Sequence, residues 1–234
     1  MKDTSQAIIY LADNRGHLEG EWMRSLMTFN FGNYKAESRE PFGTLQVLNE
    51  DTLAAGKSLH MQLEENTEVM IIPLVGTLLF TDDEGTETYI EPGKLQLISA
   101  HNQYRYAITN PFEKDELVNF IQVWLNKNEG EFRAGSRQLN IDLTEKNQLY
   151  NIIAPADLHQ PAHCFIGQYN GRKKGAYSLQ NKNNGVYAFV IDGVFEVQDR
   201  LLHPKDGLAI WNVDEIDFEA LSNEAILLLF EVPL

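Results

Sequence analysis

The first half of the chain has an imidazole and a carboxylate close together in the sequence SLHMQLEENTE, namely those of His60 and Glu64. Of the side chains in this half, they are the clearest candidates for chemistry. Alternate residues of a regular β-strand point to the same side, so His60, Gln62 and Glu64 are expected to share one face. Imidazole and carboxylate groups bind divalent first-row metals, whereas a glutamine amide is a weak neutral donor. One interpretation is a metal site formed by His60, Glu64 and Tyr106. The other is that His60 is a rim residue bonded to water or backbone.

A second stretch, SAHNQYRYAIT, alternates in the same way and is predicted to place Tyr104, Tyr106 and Ile108 on one inward face. Tyrosine binds a metal only when ionised, which its reference pKa of about 10 disfavours, and Ile108 has no donor atom. Such a lining either fills a small barrel or holds a flat organic ligand. Glu64 is either a half-exposed carboxylate at the barrel mouth or a buried one bonded to Tyr106.

The elements that must position these residues have the pattern of β-strands. Apolar or alternating runs such as EVMIIPLVGTLLF, KLQLISA and LVNFIQVWLN are short, and turns rich in Gly, Pro, Asn and Asp separate them. No long apolar stripe with the period of a helix is present. The pattern predicts an all-β fold, either a sandwich or a barrel.

An internal repeat predicts how the strands are organised. PLVGTLLFTDDEGTETYIEPGKLQLIS in the first half and FVIDGVFEVQDRLLHPKDGLAIWN in the second share one order of strand, glycine, strand and proline-containing turn. Their first glycines, Gly76 and Gly193, are separated by half of the 234-residue chain. The repeat predicts two similar β-barrels in tandem. We place the first barrel at residues 1–127, a polar linker at 128–139 and the second barrel at 140–234.

Composition restricts the partners and the compartment. The formal charge is −15, from 19 Lys and Arg and 34 Asp and Glu, so no direct nucleic-acid partner is expected, because phosphate binding needs clustered basic residues. The single cysteine, Cys164, is interpreted as a small buried apolar residue and is typical of a reducing compartment. No apolar run approaches the about 18 residues of a membrane span. We expect a cytoplasmic protein with no membrane partner.

Several separated motifs resemble the pirin-like bicupins of the cupin superfamily. They are, in chain order, LADNRGHLEGEWMRSLMTFNFGNY, FGTLQVLNEDTLAAG, LVGTLLFTDDEG, EPGKLQLISA and NFIQVWLNK. The resemblance covers the first barrel well, while the second half matches only in its layout and its final LLLFEVPL. It implies two tandem cupin, or jelly-roll, barrels and, in typical members, one iron-type metal in the first barrel. Related enzymes cleave flavonols such as quercetin with dioxygen, and the eukaryotic member is a transcriptional cofactor.

The resemblance also assigns the family's metal-ligand positions, and none of them keeps its residue. The four positions, aligned without gaps, hold Gln62, Glu64, Tyr106 and Ile108. Glu68 falls on a glutamate of the family, which supports this register. The resemblance therefore implies a retained scaffold and, for this chain, no metal and no other cofactor.

Three functions follow from these observations. The first is a non-catalytic bicupin that binds a small organic ligand in the first barrel, and the second is a module that binds a protein partner. The alternative is a quercetin-type dioxygenase with atypical ligands. The pocket is expected at the four replaced positions, with His60, Glu68 and Tyr104 as neighbours. We predict that Tyr106 fills the metal's space and that its hydroxyl bonds to Glu64 or Gln62.

Overall fold

The computed structural model describes residues 6–126 and 134–234, and nearly all of their regular structure is β-strand. Within these ranges the only helical segment is a single 3-10 turn, Ala12–Asn14. The strands are, in chain order, β1 (Gln6–Tyr10), β2 (Gly16–Glu19), β3 (Met23–Met27), β4 (Leu45–Leu53), β5 (Ser58–Gln62), β6 (Thr67–Val75), β7 (Leu78–Thr81), β8 (Glu87–Ile90), β9 (Lys94–Ala100), β10 (Arg105–Thr109), β11 (Val118–Asn126), β12 (Gly135–Asn140), β13 (Tyr150–Ile153), β14 (His163–Tyr169), β15 (Lys174–Ser178), β16 (Asn184–Asp192), β17 (Phe195–Val197), β18 (Arg200–Leu202), β19 (Gly207–Trp211), β20 (Glu215–Ala220) and β21 (Ala225–Pro233).

The strands form two compact units, which we call the N-terminal barrel and the C-terminal barrel. Of the described residues, the N-terminal barrel comprises 16–41, 45–126 and 134–141. The C-terminal barrel comprises residues 142–234, residues 42–44 and the described residues as far as Arg15. The predicted all-β fold of two cupin barrels is therefore confirmed.

The N-terminal barrel is a jelly roll of two antiparallel sheets. The larger sheet has the order β12-β9-β6-β11-β4-β3-β2, and the smaller has the order β5-β10-β7-β8. Alternate residues of both sheets point into the space between them, where Val69 and Phe120 of the larger sheet meet Phe80 and Ile108 of the smaller. The interior between the sheets is therefore a packed apolar core.

The C-terminal barrel repeats this architecture. Its larger sheet has the order β1-β19-β16-β21-β14-β13, and its smaller sheet has the order β15-β20-β17-β18. Val186 and Leu229 of the larger sheet pack with Phe195 and Phe218 of the smaller one. The single cysteine, Cys164, is fully buried in this barrel, and burial raises the pKa of its thiol well above the usual value.

The two repeat glycines occupy equivalent positions, between β6 and β7 and between β16 and β17. Gly76 and Gly193 both have φ of +76°, which disfavours any residue with a Cβ atom. A Cβ at Gly76 would lie 2.8 Å from Val118, and one at Gly193 would lie 2.5 Å from Ala225. Each of these neighbours begins a later long strand of its own barrel, so the sequence repeat corresponds to a structural one.

The division of the chain differs from the predicted boundaries in two places. Residues 135–139, placed in the predicted linker, belong to β12, which pairs with β9 from Gly135 opposite Ser99 to Asn140 opposite Lys94. Residues 6–10, placed in the first barrel, form β1, which pairs with β19 and completes the C-terminal barrel. Polar composition suggested a linker, but an edge strand tolerates polar side chains because one of its sides is unpaired. Residues 127–133 of the predicted boundary region lie outside the described residues.

No helix among residues 6–126 and 134–234 has the length and apolar character needed to cross a bilayer.

Candidate functional site

Two of the four predicted ligand positions face the interior of the N-terminal barrel. Tyr106 and Ile108 alternate on β10, and the side chain of Tyr106 is 3% exposed while that of Ile108 is fully buried. Across the ladder they lie opposite Met61 and Leu59 of β5, whose side chains pack on the same cluster. The alternation of SAHNQYRYAIT therefore predicted the orientation of these two residues correctly.

The other two positions do not face inward: His60 and Gln62 share one face of β5, but that face is the outward one, and Glu64 lies beyond the end of the strand. Gln62 lies opposite Arg105, and the Arg105 Nε atom donates a hydrogen bond to Gln62 Oε1 at 3.3 Å in an exposed position. His60 lies opposite Ala107 on that same outward side and is exposed. The pairing of β5 with β10 sets this register. The inward residues of β5 are therefore Leu59 and Met61, which alternate with the outward His60 and Gln62.

The buried alternative for Glu64 is excluded, and Glu68 is placed differently from the prediction. Glu64 follows the end of β5 and is exposed, so it is not a buried partner of Tyr106. Glu68 is fully buried on β6, but it alternates with the interior residues Val69 and Ile71 and therefore lies on the opposite face of its sheet. There it accepts a hydrogen bond from Ser99 Oγ, so it is not a neighbour of the pocket.

The hydroxyl of Tyr106 has partners other than the predicted Glu64 or Gln62. It donates a hydrogen bond to Gln122 Oε1 at 2.6 Å and accepts one from Trp124 Nε1 at 3.1 Å. Gln122 Nε2 in turn lies 3.5 Å from Asp51 Oδ2. The signal that could have revealed these partners is the alternation of Phe120, Gln122 and Trp124 along LVNFIQVWLN, which places all three on one face of β11.

Burial keeps Tyr106 in its neutral, hydrogen-bonding form. Removal of the phenol from water raises its pKa well above the usual value, and the hydrogen bond from Trp124 offsets this only in part. Tyr104 packs beside it, with ring centroids 6.4 Å apart. Burial, followed by the negative charges of Asp83 and Asp82, raises the pKa of Tyr104 as well. The predicted aromatic lining is therefore neutral.

The donor set does not fit the metal that the resemblance implies. Ile108 offers no donor, and Gln62 points away from Tyr106. The Tyr106 hydroxyl is neutral, and hydrogen bonds already engage it as donor and as acceptor. Over residues 6–126 and 134–234, no cluster of three or more His, Cys, Asp or Glu side chains could hold a metal ion. No chemical step is therefore derived through a metal.

A cavity of about 400 Å³ lies beside the hydrogen-bonded row Gln122–Tyr106–Trp124, and Trp124 belongs both to that row and to the cavity wall. Its walls combine aromatic, apolar, amide and charged side chains, namely Asn30, Phe31, Lys35, Gln46, Val47, Met61, Gln62, Glu64, Glu65, Thr67, Trp124 and Asn126, together with Gly32. The ring centroids of Phe31 and Trp124 are 5.4 Å apart and their planes stand at 89°. A second cavity of about 480 Å³ adjoins His60, Asp82 and Arg105. The geometry of the first cavity suits a small organic molecule with both apolar and polar groups.

Comparisons with known proteins agree with this architecture along nearly the whole chain. A family model described as Pirin matches residues 10–125, and one described as Quercetinase C-terminal cupin domain matches residues 153–232. The quercetin 2,3-dioxygenase of Escherichia coli strain K12 is 26% identical over 234 residues, covering 97% of this chain and 99% of that protein.

Solved structures show the same fold. The crystal structure of YhhW from Escherichia coli has a TM-score of 0.88 and 23% identity, and the match covers 97% of this chain and 98% of that one. The bacterial pirin YhhW in complex with nickel(II) has a TM-score of 0.87 and 22% identity, with 97% and 99% of the two chains covered.

Proposed function

Because this chain belongs to the pirin-like bicupin family, we propose that it is a non-catalytic member whose N-terminal barrel binds a small organic molecule without a metal. The observation that carries the proposal is the position of Tyr106. At a ligand position of the family it is a buried, neutral tyrosine that holds Trp124, and Trp124 lines the 400 Å³ cavity.

The contacts of Trp124 support a binding role. Its indole N–H donates to the Tyr106 hydroxyl, which Gln122 fixes in turn, so the ring is held in place before any ligand arrives. A wall held in this way loses little conformational entropy on binding. The polar side chains around it, such as Gln46 and Asn126, offer hydrogen bonds that orient a ligand.

The two other candidate functions have weaker support in this chain. A relative carries the name quercetin 2,3-dioxygenase, but the donor set described above does not suit a dioxygen-activating metal. The second candidate, a module that binds a protein partner, agrees with the family, but no surface of the described residues indicates such a partner. Binding of a small molecule uses a cavity whose walls include Gln62 and Glu64, two of the altered ligand positions, together with Trp124.

The binding proposal is testable because the chain has three tryptophans, Trp22, Trp124 and Trp211, of which only Trp124 lines the cavity. In ¹⁵N–¹H spectra of the labelled protein, a panel of small organic molecules should yield binders that move the Trp124 indole signal. The other two indole signals serve as internal controls, and a Trp124→Phe spectrum gives the assignment. The variant Gln46→Trp should narrow the cavity and abolish these shifts, whereas Tyr89→Trp, at an exposed position, should not. If no member of a large panel moves the Trp124 signal selectively, the proposal is wrong.

A separate prediction is that the protein holds no transition metal and does not oxidise quercetin. Purified protein that has been dialysed against chelator-free buffer should carry well under one transition-metal ion per chain in elemental analysis. In an oxygen electrode, quercetin with added iron or nickel should be consumed no faster than in the absence of the protein. Near-stoichiometric metal that survives dialysis, together with protein-dependent oxygen uptake, would instead establish the dioxygenase.

A further inference from the structure

Resting on the proposed function, we infer that the cavity selects an organic cation, of the class of methylated ammonium ions. Three features of the walls lead to this class. They are a corner of two aromatic rings, an excess of carboxylates, and a scaffold that fixes the rings in place.

The aromatic corner is formed by Phe31 and Trp124. Their planes are nearly perpendicular, and both rings line the cavity, so a group in the angle between them lies against both rings. The faces of aromatic rings carry negative electrostatic potential and attract a cation within about 6 Å of the centroid. A methylated ammonium ion is bulky and weakly hydrated, so it loses little hydration when it enters such a corner. A hydrated metal ion would lose far more.

Hydrogen bonds that a ligand does not need to supply hold the ring of Trp124 and fix the backbone that carries Phe31. Trp124 is anchored on Tyr106. Phe31 lies in a tight turn in which its N–H donates to Tyr34 O at 3.2 Å and its carbonyl accepts from Tyr34 N–H at 2.9 Å. Met61, whose sulfur is polarisable, adds a third soft wall beside them. The corner is therefore preorganised.

The charge of the walls also favours a cation. Two carboxylates, Glu64 and Glu65, line the cavity against one ammonium group, Lys35. Glu65 accepts a hydrogen bond from Asn126 Nδ2 at 3.0 Å, whereas Glu64 makes no ion pair or hydrogen bond within residues 6–126 and 134–234. The net charge of −15 adds a long-range attraction for cations. Glu64, at a ligand position of the family, becomes the counter-ion in this proposal.

The decisive experiment compares choline with 3,3-dimethylbutan-1-ol, which has nearly the same shape and hydroxyl but no charge. Both are titrated into the full-length protein, with the Trp124 indole signal and calorimetry as readouts. We expect choline to bind at least about tenfold more tightly than the neutral compound, as cation–π and carboxylate interactions predict. Glu64→Gln should weaken choline binding severalfold and leave the neutral compound unaffected. Glu113→Gln, at an exposed loop position, is the matched control.

A third variant, Phe31→Leu, removes one aromatic face while keeping apolar volume, and it too should weaken choline alone. Equal affinity for choline and its neutral counterpart would overturn the cation inference while the binding proposal stands. The cation inference is likewise wrong if neither compound binds but neutral members of the small-molecule panel move the Trp124 signal. If nothing in the panel moves that signal, the binding proposal itself fails.

Discussion

Replacing Tyr106 with alanine is expected to lower the free energy of unfolding by about 3–5 kcal/mol, the largest single effect that we predict in the N-terminal barrel. The ring is buried with its centroid 6.1 Å from that of Phe80 and 6.4 Å from that of Tyr104, so its removal leaves a cavity between the two sheets. The same change removes the hydroxyl that is the hydrogen-bond partner of both Gln122 Oε1 and Trp124 Nε1. Equilibrium unfolding in urea, followed by tryptophan fluorescence, measures the loss.

Tyr106→Phe separates the hydroxyl from the ring. It keeps the packing and removes only the two hydrogen bonds, so we expect a loss of about 1–3 kcal/mol. Tyr89→Ala is the control, because Tyr89 is 59% exposed in the same barrel, and such changes usually alter stability by less than about 0.5 kcal/mol. A Phe variant as stable as the parent would mean that the Gln122–Tyr106–Trp124 row contributes nothing.

Replacing Glu231 with alanine should have an effect of similar size in the C-terminal barrel, about 3–5 kcal/mol, because several neutral donors lose their acceptor at once. Glu231 is fully buried, and four donors converge on its carboxylate. They are the Tyr177 hydroxyl, the backbone N–H groups of Gln180 and Asn181 at 2.8 and 2.9 Å, and Asn184 Nδ2 at 2.8 Å. Alanine leaves all four without this acceptor, and the hydrogen bonds of Tyr177 and Asn184 lie in the buried interior.

Glu231→Gln tests the role of charge at constant shape. The amide retains one acceptor oxygen but turns an N–H toward groups that are themselves donors, so a loss of about 2 kcal/mol is expected. Glu196→Ala, an exposed carboxylate of the same barrel, should be neutral. Urea unfolding gives the free energies, and limited proteolysis identifies which barrel opens first. If Glu231→Gln matched the parent, the charge of the carboxylate would be irrelevant to this network.

The sequence alone was sufficient for the fold and for part of the site. The glycine repeat predicted two barrels because positive φ at Gly76 and Gly193 is a local requirement that leaves a visible residue type. Alternation also predicted the inward direction of Tyr106. Both features depend on residues close together in the chain, and local patterns record such features well.

The features that the sequence missed depend on pairing between distant strands. The direction of Gln62 follows from its place opposite Arg105, and a shift of one residue reverses every side chain of a strand. The hydroxyl of Tyr106 reaches Gln122 rather than Gln62 because β11 contributes the facing row of the interior. Counting from a family motif gives the position of a residue but not the face it occupies.

The membership of β1 in the C-terminal barrel has a consequence for the order of folding. During synthesis β1 leaves the ribosome before the strands of the N-terminal barrel, yet its partner β19 is made only after them, since Gln6 pairs with Trp211 and Ala12 N–H donates to Asp206 Oδ1 at 2.7 Å. The strands of the N-terminal barrel are complete at Asn140, so that barrel can fold while β1 still waits for its partner. No described strand of that barrel pairs with β1, so β1 stays without its partner until β19 has been made, and the pairing then closes a long loop whose entropic cost grows only slowly with its length. The sheet of the C-terminal barrel is thus completed at its edge by a strand that is made before the N-terminal barrel, and the order of translation is compatible with the folding of both.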